Sequence, residues 1–264
     1  MSNPNGTSAV LHLLGTGASV SDPHRTTTML ALSNRSGIVA VDCGGDLIQR
    51  MLVCGLDVGR IEALFLTHAH SDHVTGFPLV IQRLWLNGRD RPIPVFGPAP
   101  ALDVARRLWE VFELGDADGV PDIHWHVLPS GIPDRCTPDG LPTLDVAGWL
   151  VQYVPVTHGP ETVALRFADS ESGAVITYSS DTAPEPRVAA LAQESKILVH
   201  EANGKGSGHS SVSDAAQIAA TANADRLVLV HLPKTDKEYE QELASASEIF
   251  SAIELGIEGG RYPV

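Results

Sequence analysis

Four short apolar runs in this chain each end on histidine or aspartate, and that recurrence constrains the fold more than any other feature. The run 61–66 leads into Thr67-His68-Ala69-His70-Ser71-Asp72-His73, which packs three imidazoles and a carboxylate into six residues. His158 ends Val154-Pro155-Val156-Thr157, Asp181 ends the run 174–180, and His231 ends the run 226–230. Short β-branched or apolar runs read as buried strands. Layered α/β proteins gather their sites at strand ends, where loops converge. A single histidine in such a place reads as a satisfied interior residue, but four strand ends of this kind in one chain do not.

The residue types then point to chemistry. His68 and His70 are two apart, so in an extended or loop conformation both can reach one metal ion. Asp72 and His73 follow where the chain must turn, and they can face a second ion. Nitrogen and carboxylate ligands without thiolate suit zinc, with manganese or iron as substitutes. Two metals about 3.5–4 Å apart can share a hydroxide and clamp the oxygens of a displaced group. Coordination lowers the pKa of bound water to about 7, so a bridging hydroxide could attack phosphorus or a carbonyl carbon at neutral pH.

From about residue 13 onward, the order HxHxDH, His158, Asp181, His231 resembles the metallo-β-lactamase superfamily of metal hydrolases. The resemblance implies an α/β fold, a four-layer αββα sandwich of two mixed sheets flanked by helices. It also implies two divalent ions. His68, His70 and His158 would hold one, Asp72, His73 and His231 the other, and Asp181 would bridge them. Asp72 could in addition orient the hydroxide, and Asp42, which ends its own strand, would brace the metal loop.

A narrower resemblance is to the ribonuclease Z branch. It rests on His200-Glu201-Ala202, on Gly208-His209-Ser210-Ser211, on Gly15-Thr16-Gly17 and on Phe96-Gly97-Pro98. In that branch the histidine of the second element, backed by the glutamate of the first, serves the substrate phosphate or the leaving oxygen. Carried over, those residues are His209 and Glu201, which join Asp72 as catalytic candidates. His200 reads as a structural neighbour of Glu201. One departure stands out. Branch members that mature tRNA carry a long flexible arm between the third-motif histidine and the bridging aspartate. Here the interval 159–180 reads as a plain hairpin, with a turn at 168–173.

Charge points the same way. The net charge is −14 and the pI about 5.1, with 18 basic residues against 32 acidic ones. Nucleic-acid binding depends on neutralising phosphates with Lys and Arg. The composition therefore argues against nucleic acid as a partner and for a small-molecule substrate. Arg83, Arg89, Arg91, Arg106 and Arg107 are the residues that could form a basic patch. Three cysteines, Cys43, Cys54 and Cys136, imply no disulfide framework. The polar start at 1–9 argues against a signal peptide, and no apolar run is long enough to span a bilayer. Cytoplasmic residence and a single domain over 1–264 are the expectations. The resemblance also allows a homodimer.

First-sheet strands are expected at 10–14, 26–32, 37–42 and 61–67. Helices are expected at 45–55, 76–86, 100–114, 214–224 and 235–250, with Ser211 or Ser213 capping the fourth. Phe77, Trp85 and Trp109 could line the mouth of the site or belong to the core. His24 and Arg25 follow the Gly-Thr-Gly turn and could touch substrate, while His12, His124 and His126 have no assigned role. The expected activity is a dinuclear phosphodiesterase acting on small or nucleotide-like diesters. The alternatives are tRNA 3′ processing, or carboxyl-group hydrolysis of the thioesterase, lactonase or β-lactamase type, which does not need the His209 and Glu201 elements. A binding module that has lost catalysis would be expected to lack some of the seven ligand positions, and all seven are present.

Overall fold

Alternate residues of one apolar strand can face two different cores, and in this protein they do. Leu30 and Leu32 pack into a cluster with Trp149, Val151, Phe167 and Val199, whereas Met29 and Ala31 pack with Leu47, Met51 and Phe77. Such strands are apolar throughout because both faces are covered.

The computed structural model describes residues 9–115, 117–129, 138–206, 208–233 and 235–264. The first part contains β1 (Val10–Gly15), β2 (Met29–Ser33), β3 (Ile38–Val41), α1 (Leu47–Val53), β4 (Ile61–Phe65), α2 (Ser71–Val74), α3 (Phe77–Leu86), β5 (Ile93–Gly97), α4 (Ala99–Glu110) and β6 (Ile123–Val127). The second contains β7 (Leu144–Val146), β8 (Trp149–Val156), β9 (Thr162–Asp169), β10 (Val175–Tyr178), α5 (Pro186–Leu191), β11 (Ile197–Glu201), α6 (Val212–Ala222), β12 (Leu227–Val230), α7 (Asp236–Ser247) and β13 (Ile253–Leu255). A last strand, β14 (Arg261–Pro263), returns to the first sheet.

The sheets run β14-β1-β2-β3-β4-β5-β6 and β13-β12-β11-β10-β9-β8-β7. In each, one end is joined by parallel ladders and the other by antiparallel ones, so both are mixed. One apolar cluster lies between the sheets. A second lies under α1, α3 and α4, and a third under α5, α6 and α7. This is the expected four-layer αββα sandwich.

Several local expectations shift. The strand expected at 26–32 begins only at Met29, because 26–28 is engaged elsewhere: Thr26 O accepts from Gly17 N, and Thr27 bridges Gly17. Ser211, not Ser213, caps α6. Its hydroxyl accepts from Asp214 N while its own N–H donates to the Asp214 carboxylate, a reciprocal capping box. Phe77 and Trp109 are buried in the cluster under the first sheet, so neither lines a mouth. Trp85 donates its indole N–H to Asp118 O. Cys43 and Cys54 are free thiols. Cys136, residues 130–137 of the Pro-rich turn and the polar start at 1–8 lie outside the described residues. No helix among the described residues is long and apolar enough to cross a membrane.

His12 gives the fold a pH signature. It is buried on β1 with Nε2 beside Ser33 Oγ, and burial, helped by Arg261, lowers its pKa to about 4. An unfolded chain protonates this imidazole near pH 6.5, and the folded one does not until about pH 4. Its contribution to stability is therefore complete above pH 6.5 and is lost as pH falls towards 4. Denaturation midpoints over that window should fall less steeply in His12→Gln than in the native protein. A ring titration of His12 near pH 6.5 in the folded state would contradict this.

Candidate metal centre

The four expected strand ends meet on one edge of the sandwich. His68 follows β4 after two residues, His158 follows β8 after one, Asp181 follows β10 after two, and His231 comes directly after β12. Glu201 is the last residue of β11. Sharp departures from the strands are needed there, and Asp42, Ser180 and His231 take left-handed φ values of 60°, 54° and 56°. Strained non-glycine backbone of this kind clusters at functional sites.

Asp181 sits at the middle. Its Oδ2 lies 3.8 Å from His68 Nε2 and 3.9 Å from His158 Nε2 on one side, and 3.5 Å from His73 Nε2 and 3.3 Å from His231 Nε2 on the other. His70 Nδ1 stands 3.1 Å from both His68 Nε2 and His158 Nε2. Asp72 Oδ2 stands 3.6 Å from His73 Nε2 and 3.3 Å from His231 Nε2. Two groups able to hold a cation result, His68-His70-His158-Asp181 and Asp72-His73-His231, each with its donor atoms within 4.8 Å of one another. A third combination, Asp181-His209-His231, also falls within that distance. The donors suit a divalent metal for a further reason. Asp181 Oδ1 and His73 Nε2 are buried with no hydrogen-bond partner, and such atoms are rare without a function.

The surroundings fix which ring nitrogen each imidazole presents. The Thr67 hydroxyl donates to Asp42, so it can only accept from His68 Nδ1–H at 3.0 Å, which leaves the His68 Nε2 lone pair facing inward. His73 Nδ1 donates to Asp42 Oδ2 at 2.8 Å, and His158 Nδ1 donates to Gly208 O at 2.8 Å. Hydrogen bonding on the far nitrogen is how proteins orient metal-binding imidazoles. Asp42 thus braces two imidazoles, one directly and one through Thr67. Gly208 has φ +80°, and a Cβ there would lie 2.8 Å from His158 Nδ1. Gly44 is under the same constraint, since its Cβ would meet the Asp72 carbonyl oxygen at 1.7 Å.

Glu201 is buried, and its carboxylate is shared. Oε1 accepts from His209 Nδ1 at 3.0 Å, Ser210 N at 2.9 Å and Thr182 N at 3.2 Å, and Oε2 accepts from Asn203 N at 2.8 Å. It therefore holds the His209 loop and the residue after Asp181 together. The Glu201 hydrogen bond raises the pKa of His209 against the opposing effect of burial. Burial, with His73 adding to it, pushes His68 well below the usual imidazole value, and burial also lowers His158. Burial opposes ionisation of Asp181, but His231 and His73 outweigh it and hold the carboxyl well below the usual range. Burial opposes protonation of His73, but Asp181 and Asp42 outweigh it and hold its pKa well above the usual imidazole value, so a metal taken up there would displace a proton.

All seven expected ligand positions and both His209 and Glu201 come together. His24 and Arg25 are not among the residues brought together there; they line a separate cavity with Asp236, Lys237 and Glu258. The bracing roles of Thr67, the Gly208 carbonyl and the Gly-Thr-Gly loop escape the sequence reading, although the two glycine elements are named in it. That loop is more than a hairpin turn. Gly17 O accepts from the Thr28 hydroxyl, which accepts from His231 N, while Thr16 O accepts from Leu232 N. It thereby fixes the backbone that carries His231. The clue in the sequence is the pair of glycines, since a Cβ on Gly15 would meet Thr27 O at 2.0 Å.

Residues 38–232 match the Beta-lactamase superfamily domain. The chain is 30% identical to the Ribonuclease BN of Cronobacter sakazakii, across 93% of this chain and 96% of that one. That alignment runs to 295 positions, more than the 264 residues here, so the relative carries internal residues with no counterpart in this chain. Among solved structures, the metallo-β-lactamase fold protein YhfI from Bacillus subtilis matches with a TM-score of 0.78 and 17% identity, over 97% of this chain and 99% of that one. A diphosphatase of the PhnP family matches with a TM-score of 0.74 and 19% identity, over 97% and 98%. The chain therefore belongs to the metallo-β-lactamase superfamily, in its ribonuclease Z-like branch, and is a metal-dependent hydrolase.

Proposed function

We propose that this protein is a dinuclear phosphodiesterase acting on small or nucleotide-like phosphodiesters. The observation that carries the reading is the Glu201–His209 pair, 3.0 Å apart beside Asp181 and His231, because hydrolysis of a carboxyl group has no need of it. His68, His70 and His158 would hold one ion, Asp72, His73 and His231 the other, with Asp181 between them. The donor set suits zinc best, with manganese or iron as substitutes. Two ions in place would supply ionised water at neutral pH and neutralise charge on the phosphoryl oxygens. Asp72 helps to orient the attacking water. His209, whose pKa the Glu201 hydrogen bond raises, donates to a phosphate oxygen or to the departing one.

Two features support a small substrate. The interval 159–180 is filled by the β9–β10 hairpin, paired through Ala168 and Val175. Of the five arginines that could form a basic patch, Arg83, Arg89 and Arg91 are engaged by partners within the protein, while Arg106 and Arg107 are exposed on α4. Arg83 pairs with Asp46 at 2.6 Å, Arg91 with Glu62 at 2.6 Å and Arg107 with Asp103 at 3.7 Å. Arg89 donates to the carbonyls of Ile61, Arg91 and Pro92, and Arg106 lies 5.0 Å over the Trp125 ring.

The second reading is tRNA 3′ processing. A relative named as a ribonuclease aligns along nearly the whole chain, so acidity alone does not remove RNA from the candidates. A panel separates the two. The metal-loaded protein is assayed on bis(p-nitrophenyl) phosphate, cyclic nucleotides, pre-tRNA, thioesters, lactones and nitrocefin. Phosphodiester turnover should exceed all the others, with pre-tRNA cleaved far more slowly at ordinary salt. Efficient cleavage at the 3′ side of pre-tRNA would establish the second reading, and turnover confined to the carboxyl substrates would overturn both.

A further inference from the structure

His158 stands in the turn between β8 and β9, outside the ladder of those strands, which ends at Val156 and Thr162. Its place against Asp181 therefore depends on contacts from other segments. Two of these come through Thr157, the residue before it. Thr157 O accepts from Ala183 N at 2.8 Å, and the Thr157 hydroxyl donates to Glu185 Oε2 at 2.9 Å. Ala183 and Glu185 closely follow Asp181 in the chain, so one short segment carries the central carboxylate and grips the turn that carries His158. The turn before His68 is built the same way. Thr67 directly precedes that ligand, and its hydroxyl donates to Asp42 Oδ2 at 2.9 Å. The residues before His73 and His231 are Asp72 and Val230, so the second ligand group has no such threonine.

Glu185 is itself fixed. It is buried, its Oε1 accepts from Arg187 N and Nε at 3.3 and 3.1 Å, and its Oε2 accepts from Arg187 Nη2 at 3.0 Å. It also caps α5, whose first residue is Pro186. Burial opposes ionisation of Glu185, but hydrogen bonds from Arg187 and Thr157 outweigh it and lower its pKa. A buried carboxylate held from two sides has little freedom to follow a moving partner, so its rigidity passes to Thr157. None of these hydrogen-bond partners is a metal ligand.

We propose that Glu185 is a positioning residue for one ion of the centre, holding His158 against Asp181 through Thr157. The inference rests on the dinuclear reading, with His158 in the group that takes the first ion. Partners that orient a metal ligand from outside are worth about 10–100-fold in metal affinity. Thr157 grips the backbone of the turn rather than the His158 ring, so the effect belongs at the low end of that range.

The test is a zinc titration of metal-free protein in competition with a chromophoric chelator, which reads affinity without turnover. His231→Ala should isolate the ion at His68, His70 and His158, and His158→Ala the other one. Added to His231→Ala, Thr157→Val should weaken the remaining ion by about tenfold, and Glu185→Ala should do the same. Added to His158→Ala, neither should change the affinity. Thr157→Ser keeps the hydroxyl and should behave as the native residue does. Thr157→Val and Glu185→Ala together should cost no more than either alone, because both break one bond. Glu185→Ala also removes the cap of α5, so if it does not fold the exposed Thr157 decides through Thr157→Val. Asp169→Asn is the comparison for general loosening. Asp169 is a buried carboxylate that accepts from Asn34 Nδ2, Ser172 N and the Ser172 hydroxyl, at the opposite end of β9 from Thr162. Its substitution should lower the melting temperature and leave zinc affinity alone. Unchanged zinc affinity in Thr157→Val, or equal losses at both ions, would overturn the role of Glu185 and leave the dinuclear reading intact. Native protein that takes up only one zinc would overturn the dinuclear reading, and the effect of Thr157→Val on that ion would then decide the role of Glu185 by itself.

Discussion

Asp181→Ala is expected to empty the centre of both ions. One oxygen of this carboxylate lies within 3.9 Å of four imidazole nitrogens, two from each candidate ligand group. No other side chain in the cluster stands between the two groups in that way. Outer-shell partners of metal ligands are typically worth 10–100-fold in affinity or activity, so loss of a shared ligand should cost more than about 100-fold in turnover. His158→Ala should deplete mainly the ion at His68 and His70, and His231→Ala mainly the ion at Asp72 and His73. Elemental analysis of the native protein and the three variants reads these outcomes directly. Asp181→Asn is a useful companion, because it keeps the shape of the side chain and removes the charge. Asp181→Ala retaining close to two ions would show that Asp181 bridges nothing. A fully loaded native protein holding a single ion would reject the dinuclear centre altogether.

Much of this centre is legible in the sequence because its ligands sit at strand ends, and strands announce themselves as apolar runs. The runs before His68, His158, Asp181 and His231 all become strands, and all four end at the same edge of the sandwich. What is not legible is contact made through the backbone. Gly208 orients His158 with a carbonyl, and a carbonyl has no sequence signature beyond the glycine that permits the turn. Thr67 acts through a hydroxyl poised between Asp42 and His68, a role that depends on β3 and β4 lying side by side. The three-residue strands β13 and β14 are too short for any periodicity to show, and α5 has only six residues. The arginine cluster misleads for the opposite reason. Basic residues close in sequence suggest a patch, but Arg83 is drawn to Asp46 and Arg89 to Ile61 O, both on distant segments.

His209→Ala should separate proton donation from metal binding. His209 Nδ1 is held by Glu201, so its other nitrogen is the one directed at Asp181 and His231, and its ring stacks on His231 with centroids 5.6 Å apart. The same geometry would serve a ligand or a donor. As a donor, its loss should leave both ions and the fold in place and lower turnover by about 10²–10⁴-fold, the usual worth of a positioned acid. The loss should be smaller for nitrophenolate esters, whose leaving groups need little protonation. Glu201→Gln should be milder at His209 but broader in reach. A glutamine oxygen can still accept from His209, Ser210 and Thr182, but its amide would confront Asn203 N, which now donates to Oε2 at 2.8 Å. Because Thr182 follows Asp181, Glu201→Gln should also weaken metal retention slightly, whereas His209→Ala should not. Loss of an ion from His209→Ala would make His209 a ligand, and the third combination of donors would then be a real one. Unchanged turnover on an ester with a poor leaving group would reduce His209 to a loop residue. The phosphodiesterase reading would then lose the observation on which it stands.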